Sequence, residues 1–434
     1  MKNKLLNSIV ILSIGVGLYA SPLSISKAYQ LSLENSNDIA SSNYQVQATK
    51  EDINQIKSNL YPQISSSISY SNTDYEINHL QRRVDYGINE KSTDYSISLN
   101  QTIYNKEIYS KLNSQRIRAQ LSNIKLQIQK QDLSKQLLKI YLDILQTKNK
   151  IELYNVILQY SKNKADAINK QYKMNLSNKM DLLQAKVDLN SAKITLANQK
   201  KSFTINRLKL QHLISKDNFE LPSIDFVKIN KMKIAKLKAI IQASDISTNL
   251  NIQEAKTTIA LTKADIDIAK SGYYPNLSFN ASYTRYDSDA ITTDYEHTTR
   301  YNIALKIPIY SGGYTKSKIK SSRLKFKAAK EDLKTIQKDI KIQYDDFMAK
   351  FENAVDSLDM YQESLTSANL YVESVSLGVQ NGLKSRIDLD DAKSKLFDIK
   401  YKYSQNIYDM LNAYVGILII TNNLDKLKLI DEII

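Results

Sequence analysis

Residues 274–310 read YPNLSFNASYTRYDSDAITTDYEHTTRYNIALKIPIY, and their patterning decides the fold. After Pro275, Leu277, Phe279, Ala281 and Tyr283 fall on one parity, while Asn276, Ser278, Asn280, Ser282 and Thr284 fall on the other. A polar loop with Asp287, Asp289, Asp294 and Glu296 follows. Alternation then resumes, with Tyr301, Ile303, Leu305, Ile307 and Ile309 against Asn302, Ala304, Lys306 and Pro308. Successive side chains of a strand point to opposite faces, so each run reads as a strand with one apolar and one polar face. Each is roughly 9–11 residues long, the length of a tilted strand that crosses a bilayer with one face on lipid and the other on a wet lumen.

The same design occurs earlier in the chain. Ile64, Ile68 and Tyr70 alternate with Ser65, Ser67, Ser69 and Ser71; after a polar segment with Arg82, Arg83, Asp85 and Glu90, Tyr95, Ile97, Leu99 and Ile103 alternate with Ser96, Ser98, Asn100 and Thr102. Ser66 and Gln101 interrupt the apolar parity. Two hairpins give four strands, expected over about 62–72, 94–104, 275–286 and 299–310. Tyrosines gather near the strand ends (Tyr61, Tyr70, Tyr95, Tyr104, Tyr274, Tyr283, Tyr301, Tyr310), as interfacial aromatic girdles do. An ordinary surface hairpin is the competing reading of either pair alone; the shared anatomy of the two weighs against it.

Between the hairpins the punctuation is that of long helices. The 434 residues contain only 9 Gly and 5 Pro, and none falls between Ile88 and Leu221. Such segments suit uninterrupted helices. Ser24–Leu60 has a helical apolar period, and from about Asn105 to Tyr172 Ile117, Leu121, Ile124 and Ile128 step by four, three and four. At ~1.5 Å per residue that segment would extend ~100 Å, far beyond the width of a globular domain. A turn near Asn175 leads into a second helix to about Ile214, and Pro222 lies in a linker. In the second half Leu358, Tyr361, Leu365, Ala368, Val372, Val375 and Val379 step three and four in turn, the seven-residue repeat of left-handed coiled coils.

The halves are repeats. Leu60–Ser65 matches Tyr273–Ser278, Leu99–Tyr104 matches Leu305–Tyr310, and Asn175–Asp181 aligns without gaps on Gly382–Asp388. The organisation is therefore a signal peptide at 1–20, a first repeat at 21–222 with its helical tip at about 175–181, and a second repeat at 223–434 with its tip at about 381–391. The signal is Lys2 and Lys4, an apolar run from Leu5 to Leu18 and a small residue, Ala20, before Ser21-Pro22. Its removal lowers the formal charge from +15 to +13. The 60 basic residues interleave with 45 acids along helices, as solvated faces do, and no basic run is laced with aromatics; no nucleic acid is expected as partner. Cysteine is absent, His79, His212 and His297 are isolated, and no phosphate-cradling glycine loop or nucleophile motif is present, so neither an enzyme nor a cofactor is implied.

Four strands cannot close a barrel, and an open sheet edge cannot lie in lipid. The chain must share a barrel with copies of itself: two chains would give eight strands and three would give twelve. The Ser, Asn and Thr parity favours a wide lumen, with coiled helices continuing on one side of the membrane. A secreted or periplasmic coiled-coil structural or adaptor protein, its hairpins outside any membrane, is the alternative.

With these features in place, Leu23–Leu424 resembles the TolC-like outer-membrane efflux protein family. The resemblance is carried by LSLENSNDI at 31–39, Leu60-Tyr61-Pro62, Ile307-Pro308-Ile309-Tyr310-Ser311-Gly312-Gly313, and the turn running from Gly382 to Ala392. It implies a mixed α+β membrane protein: a homotrimer with a twelve-stranded β-barrel continued by a coiled α-helical periplasmic tunnel, working with a periplasmic adaptor and an inner-membrane transporter. It places acid rings of the entrance at Asp388 and Asp391, three apart and hence on one helix face. It places a gating pair at Asp181 and Lys384; the tips, Asn175, Leu176, Asn178, Gly382, Leu383 and Ser385, would face an adaptor's helical hairpin, with plain turn-packing leucines the competing reading of Leu176 and Leu383. A capped, solvated helix start is the competing reading of either acid. Thr102 departs from the proline seen at Pro308, and Asn175 from the glycine seen at Gly382.

Overall fold

A computed structural model describes residues 22–78, 85–222, 231–289 and 295–433. The expected signal peptide, His79, Arg82, Arg83 and Asp294 lie outside them. Four strands, β1 (Gln63–Asn78), β2 (Asp85–Asn105), β3 (Asn276–Ser288) and β4 (Tyr295–Lys306), form one antiparallel sheet in the order β1-β2-β3-β4. The central β2–β3 pairing joins the two repeats, and both outer edges have no partner among the described residues.

Strand ends depart from expectation. The first hairpin runs beyond 72 and starts its return before 94, because backbone pairing continues through Asn72↔Lys91 and Asp74↔Asn89, where neither face is apolar. The fourth strand closes at Lys306 rather than 310: its partner β3 begins at Asn276, opposite Lys306, so Ile307–Tyr310 have no strand to pair with. His297, expected in a loop, lies in β4 and stacks on Tyr295 with ring centroids 6.4 Å apart.

The helix expected over Ser24–Leu60 is two, α1 (Ile25–Asn35) and α2 (Asn37–Ser58). Ser36 separates them in extended conformation and caps α2, its hydroxyl accepting from the Ile39 N–H. The long helix α3 (Lys106–Lys173) holds 68 residues, about 102 Å of rise. Its first half is lined by α2, with Ile39 and Val46 packed on Leu126 and Gln115 Nε2 donating to Thr49 O. Its second half is lined by the returning α4 (Lys179–Ile214). After α5 (Lys231–Gln242), the second repeat builds the same arrangement from α6 (Leu250–Lys270), α7 (Tyr314–Gln380, 67 residues) and α8 (Arg386–Ile420). Along the heptad stretch of α7, Leu358, Leu365, Ala368 and Val375 are buried.

The main core sits at the waist of these rods. Leu137, Leu138, Tyr141, Leu142, Ile144 and Leu145 of α3 meet Leu210 and Ile214 of α4, Tyr408, Leu411, Tyr414 and Ile417 of α8, and Ile25 of α1. Each fully buried Leu or Ile contributes about 1.5–3 kcal/mol. The short C-terminal helix α9 (Lys428–Ile433) closes the waist: Asp431 accepts from the N–H groups of Ile25 (2.7 Å) and Ser26 (3.2 Å), satisfying the start of α1. Tyr141 donates to Leu23 O at 2.5 Å, and burial, with the Asp431 charge second, pushes its phenol well above the usual range. The α8 end is met from both repeats, Ile419 O accepting from Gln131 and Ile420 O from Asn249.

Candidate functional site

The sheet sorts its side chains by row. One face carries Gln63–Asn100–Asn280–Asn302, then Ser65–Ser98–Ser282–Arg300, then Ser67–Ser96–Thr284–Thr298, then Ser69–Asp94–Tyr286–Glu296. Hydroxyls bond across this face in the pairs Ser65–Ser98, Ser67–Ser96 and Ser71–Ser92, each at 2.8 Å. The opposite face carries Ile64–Leu99–Ala281–Tyr301 and Ser66–Ile97–Tyr283–Thr299. There Ile64, Ile68 and Ile303 are 72%, 71% and 68% exposed, large apolar side chains uncovered by the described residues. A row of that kind is paid back only by an apolar surrounding. Gln101, the polar intruder on this parity, directs its amide to Leu60 O (2.9 Å) and Thr102 O (2.7 Å) and so closes the turn that leaves α2. A bulge at Ile103 then brings Tyr104 opposite Leu277.

At the far end of the rods each helical hairpin turns on a residue with positive φ, Asn175 (56°) and Gly382 (70°). Glycine takes this left-handed backbone without penalty, and Asn tolerates it best among the rest. Leu176 and Leu383, the next residues, are 73% and 79% exposed. Asn178 caps α4, its Oδ1 accepting from the Asp181 N–H at 2.8 Å. Ser385 and Asp388 cap α8 reciprocally: Asp388 N donates to Ser385 Oγ (3.1 Å) and Ser385 N donates to Asp388 Oδ2 (2.8 Å). These Ser385 hydrogen bonds, helped by the charge of Lys384, hold the Asp388 carboxyl below the usual carboxylate range. Asp391 sits one turn on and pairs with Lys395 at 2.8 Å. Asp181 accepts from Ser177 Oγ at 3.2 Å, and among the described residues no ion pair joins it to Lys384 within one chain.

One residue of this region escaped the sequence. Asp390, only 8% exposed, accepts from Asn163 Nδ2 at 2.6 Å, and Asn163 Oδ1 in turn accepts from Gln159. This contact ties α3 to α8, that is, one hairpin to the other, near their tips. Its partners are 227 positions apart. In the sequence Asp390 stands beside Asp388 and Asp391, and nothing local distinguishes it from those neighbouring acids.

No described helix is long and apolar enough to cross a membrane. The outer membrane efflux protein profile matches residues 28–215 and 245–423, leaving out the segment between the repeats. Among curated relatives, the outer membrane protein TolC of Vibrio cholerae is 20% identical over 63% of this chain and 64% of its own length. TolC of Escherichia coli is 22% identical over 44% of this chain, a match that spans only 41% of that protein. The cation efflux system protein CusC of Escherichia coli is 20% identical over 57% of this chain and 56% of its own. In fold, a CusC crystal structure superposes with a TM-score of 0.72 at 14% identity, covering 93% of both chains. The outer membrane channel CmeC of Campylobacter jejuni gives 0.73 at 13% identity over 92% of this chain and 85% of its own. The repeated strand–strand–helix–turn–helix plan, the two-faced sheet and a profile that matches both halves lead to one assignment: the chain belongs to the outer membrane efflux protein family, whose members here are TolC-like channels of the outer membrane.

Proposed function

We propose that three copies of this chain form a passive exit duct of the outer membrane, a twelve-stranded barrel continued by a helical tunnel in the periplasm. A periplasmic adaptor and an energised inner-membrane transporter would work with it, in tripartite efflux or type I secretion. The observation that carries the proposal is the four-stranded sheet with an apolar outer face, a hydroxyl- and amide-lined inner face and two unpaired edges. Unpaired backbone groups cannot remain in hydrocarbon, so β1 of one chain pairs with β4 of the next until the ring closes. Three copies bring Asp388 and Asp391 into rings of negative charge at the tunnel's far end, which favour cations. Lys384 lies beside that ring and pairs with Asp181 of a neighbouring hairpin. Asn175, Leu176, Asn178, Gly382, Leu383 and Ser385 are the surface offered to the adaptor.

Cross-linking in isolated outer membranes, followed by mild detergent extraction, tests the assembly. A species of three chain masses is expected; a soluble monomer or dimer in the periplasmic fraction overturns it. For the gating pair, Lys384→Glu is expected to raise the conductance of the reconstituted channel, and unchanged conductance removes the pair from the mechanism.

A further inference from the structure

Helix α7 leaves the sheet after Gly312-Gly313 with seven basic residues between Lys316 and Lys330 and no acid before Glu331. Lys316, Lys320, Arg323, Lys327 and Lys330 recur at steps of four, three, four and three, so they share one flank. All are exposed, and among the described residues the ion pairs of α7 begin only at Lys334–Glu331. By contrast, the ends of α2 and α6 that return to the sheet are balanced: Lys50 and Lys57 with Glu51 and Asp52, Lys263 and Lys270 with Asp265 and Asp267.

The flank faces outward. Continued by sevens through Lys334 and Lys341, its register reaches Met348, which packs on the waist core. In the repeat, Tyr141 holds the matching place on α3 and donates to Leu23 O beside α1. A hollow duct has no room for α1 in its bore, so this side of the wall is the outer one. Just ahead of the basic flank, Ile309, Tyr310 and Tyr314 are 94%, 88% and 67% exposed, an apolar and aromatic group of the kind that sits at headgroup depth.

We propose that Lys316, Lys320 and Arg323 dock the phosphates of anionic phospholipids in the leaflet from which the helices emerge. The inference rests on the membrane-spanning duct proposed above. Distance selects lipid over a partner deeper in the periplasm. A headgroup layer of about 5–8 Å and a Debye length of about 8 Å reach roughly the first ten residues of a helix. Acids are absent from that reach on α7 and return at Glu331, about 26 Å along. A carboxylate-rich cell-wall polymer would have no reason to favour the membrane end.

The test uses the full-length protein extracted in mild detergent, offered phosphatidylglycerol or phosphatidylcholine, with retained lipid counted by native mass spectrometry. A basic residue near an anionic surface is worth about fivefold in binding. The variant K316Q/K320Q/R323Q is therefore expected to retain at least about tenfold less phosphatidylglycerol, with phosphatidylcholine unchanged. Salt at about 0.5 M should erase the preference of the parent protein. K200Q/K201Q on α4, far from the sheet, should behave as the parent. Equal retention of both lipids by the parent, or of phosphatidylglycerol by parent and triple variant, overturns the proposal. So does a triple variant that keeps its lipid but no longer sediments with isolated cell-wall sacculi, since the polymer is then the partner. A trimer without lipid preference defeats this inference alone, whereas a sample containing no membrane-extracted trimer defeats the duct itself.

Discussion

Asp388 closes the cap of α8 with Ser385. In the proposed three-fold duct the same carboxylate would also face its own copies around the entrance. Substitution by Asn separates the two roles, because an amide oxygen still accepts from a backbone N–H while the charge is gone. Asp388→Asn with Asp391→Asn is expected to abolish most of the cation preference and the block by trivalent metal ions, with the melting temperature nearly unchanged; bilayer recordings and calorimetry check the pair. The pH dependence follows from the depressed carboxyl of Asp388. A lowered folded-state pKa gives a stabilisation present above the unfolded pKa and lost as pH falls through the folded one. The cap and the ring charge at Asp388 should therefore persist through mild acid and fade only below the ordinary carboxylate range. Asp390 acts differently, as the buried acceptor that joins the hairpins. A hydrogen bond to a charged group is worth about 1.5–3 kcal/mol, so Asp390→Ala should loosen the tips and raise conductance several-fold. Asp390→Asn, which preserves an acceptor, should have a smaller effect in the same recording.

At the scale of elements, α7 and α8 come close together beside the waist. A Cβ added to Gly416 would lie 2.5 Å from Phe347 Cε1, so the glycine is what lets the two helices meet beside the waist. Gly416→Ala should destabilise the protein by about 1–3 kcal/mol, the usual range for overpacking, read from denaturant unfolding in detergent. The helices and the pairing of the strands were largely legible, because period two and the three-four step are local properties of the chain. Boundaries were less so. Ser36, followed by Asn37-Asp38, carries the signature of a helix start, yet the apolar period runs through it and hides the break between α1 and α2. Beyond the expected end of the first hairpin, Asn72, Thr73 and Asp74 opposite Lys91, Glu90 and Asn89 interrupt the alternation before Tyr75 and Ile77 resume it, and that polar gap hides the strand's full extent. At β4 the opposite happened: Ile307 and Ile309 continue the alternation after the ladder has ended, since a pattern persists where a partner strand does not. The Asp390–Asn163 contact was out of reach for a further reason: nothing local to either residue announces a partner in the other repeat.

For the whole molecule, the waist joins the two ends of the described chain through Asp431 and the start of α1, and it fastens the end of α8 to both repeats through Gln131 and Asn249. The rods are thus held at the middle by the main core. Near the tips, by contrast, a small apolar cluster of Val375, Leu389 and Ala392 packs α7 on α8 and the Asp390–Asn163 hydrogen bond links one hairpin to the other, so movement is cheapest at the tips. The sheet has the reverse character: in the proposed ring, the edges of β1 and β4, unpaired among the described residues, would make every copy dependent on two neighbours. That dependence has a genetic face. A copy whose β4 edge cannot be joined, for instance through Ile303→Pro, would still offer a sound β1 edge and so enter assemblies it cannot complete. If such a copy were expressed equally beside the intact one and assembly were random, about one in eight trimers would contain only sound chains. The defect would be dominant, its severity set by the ratio of the two gene products, whereas a copy unable to fold at all would be silent in the same cell.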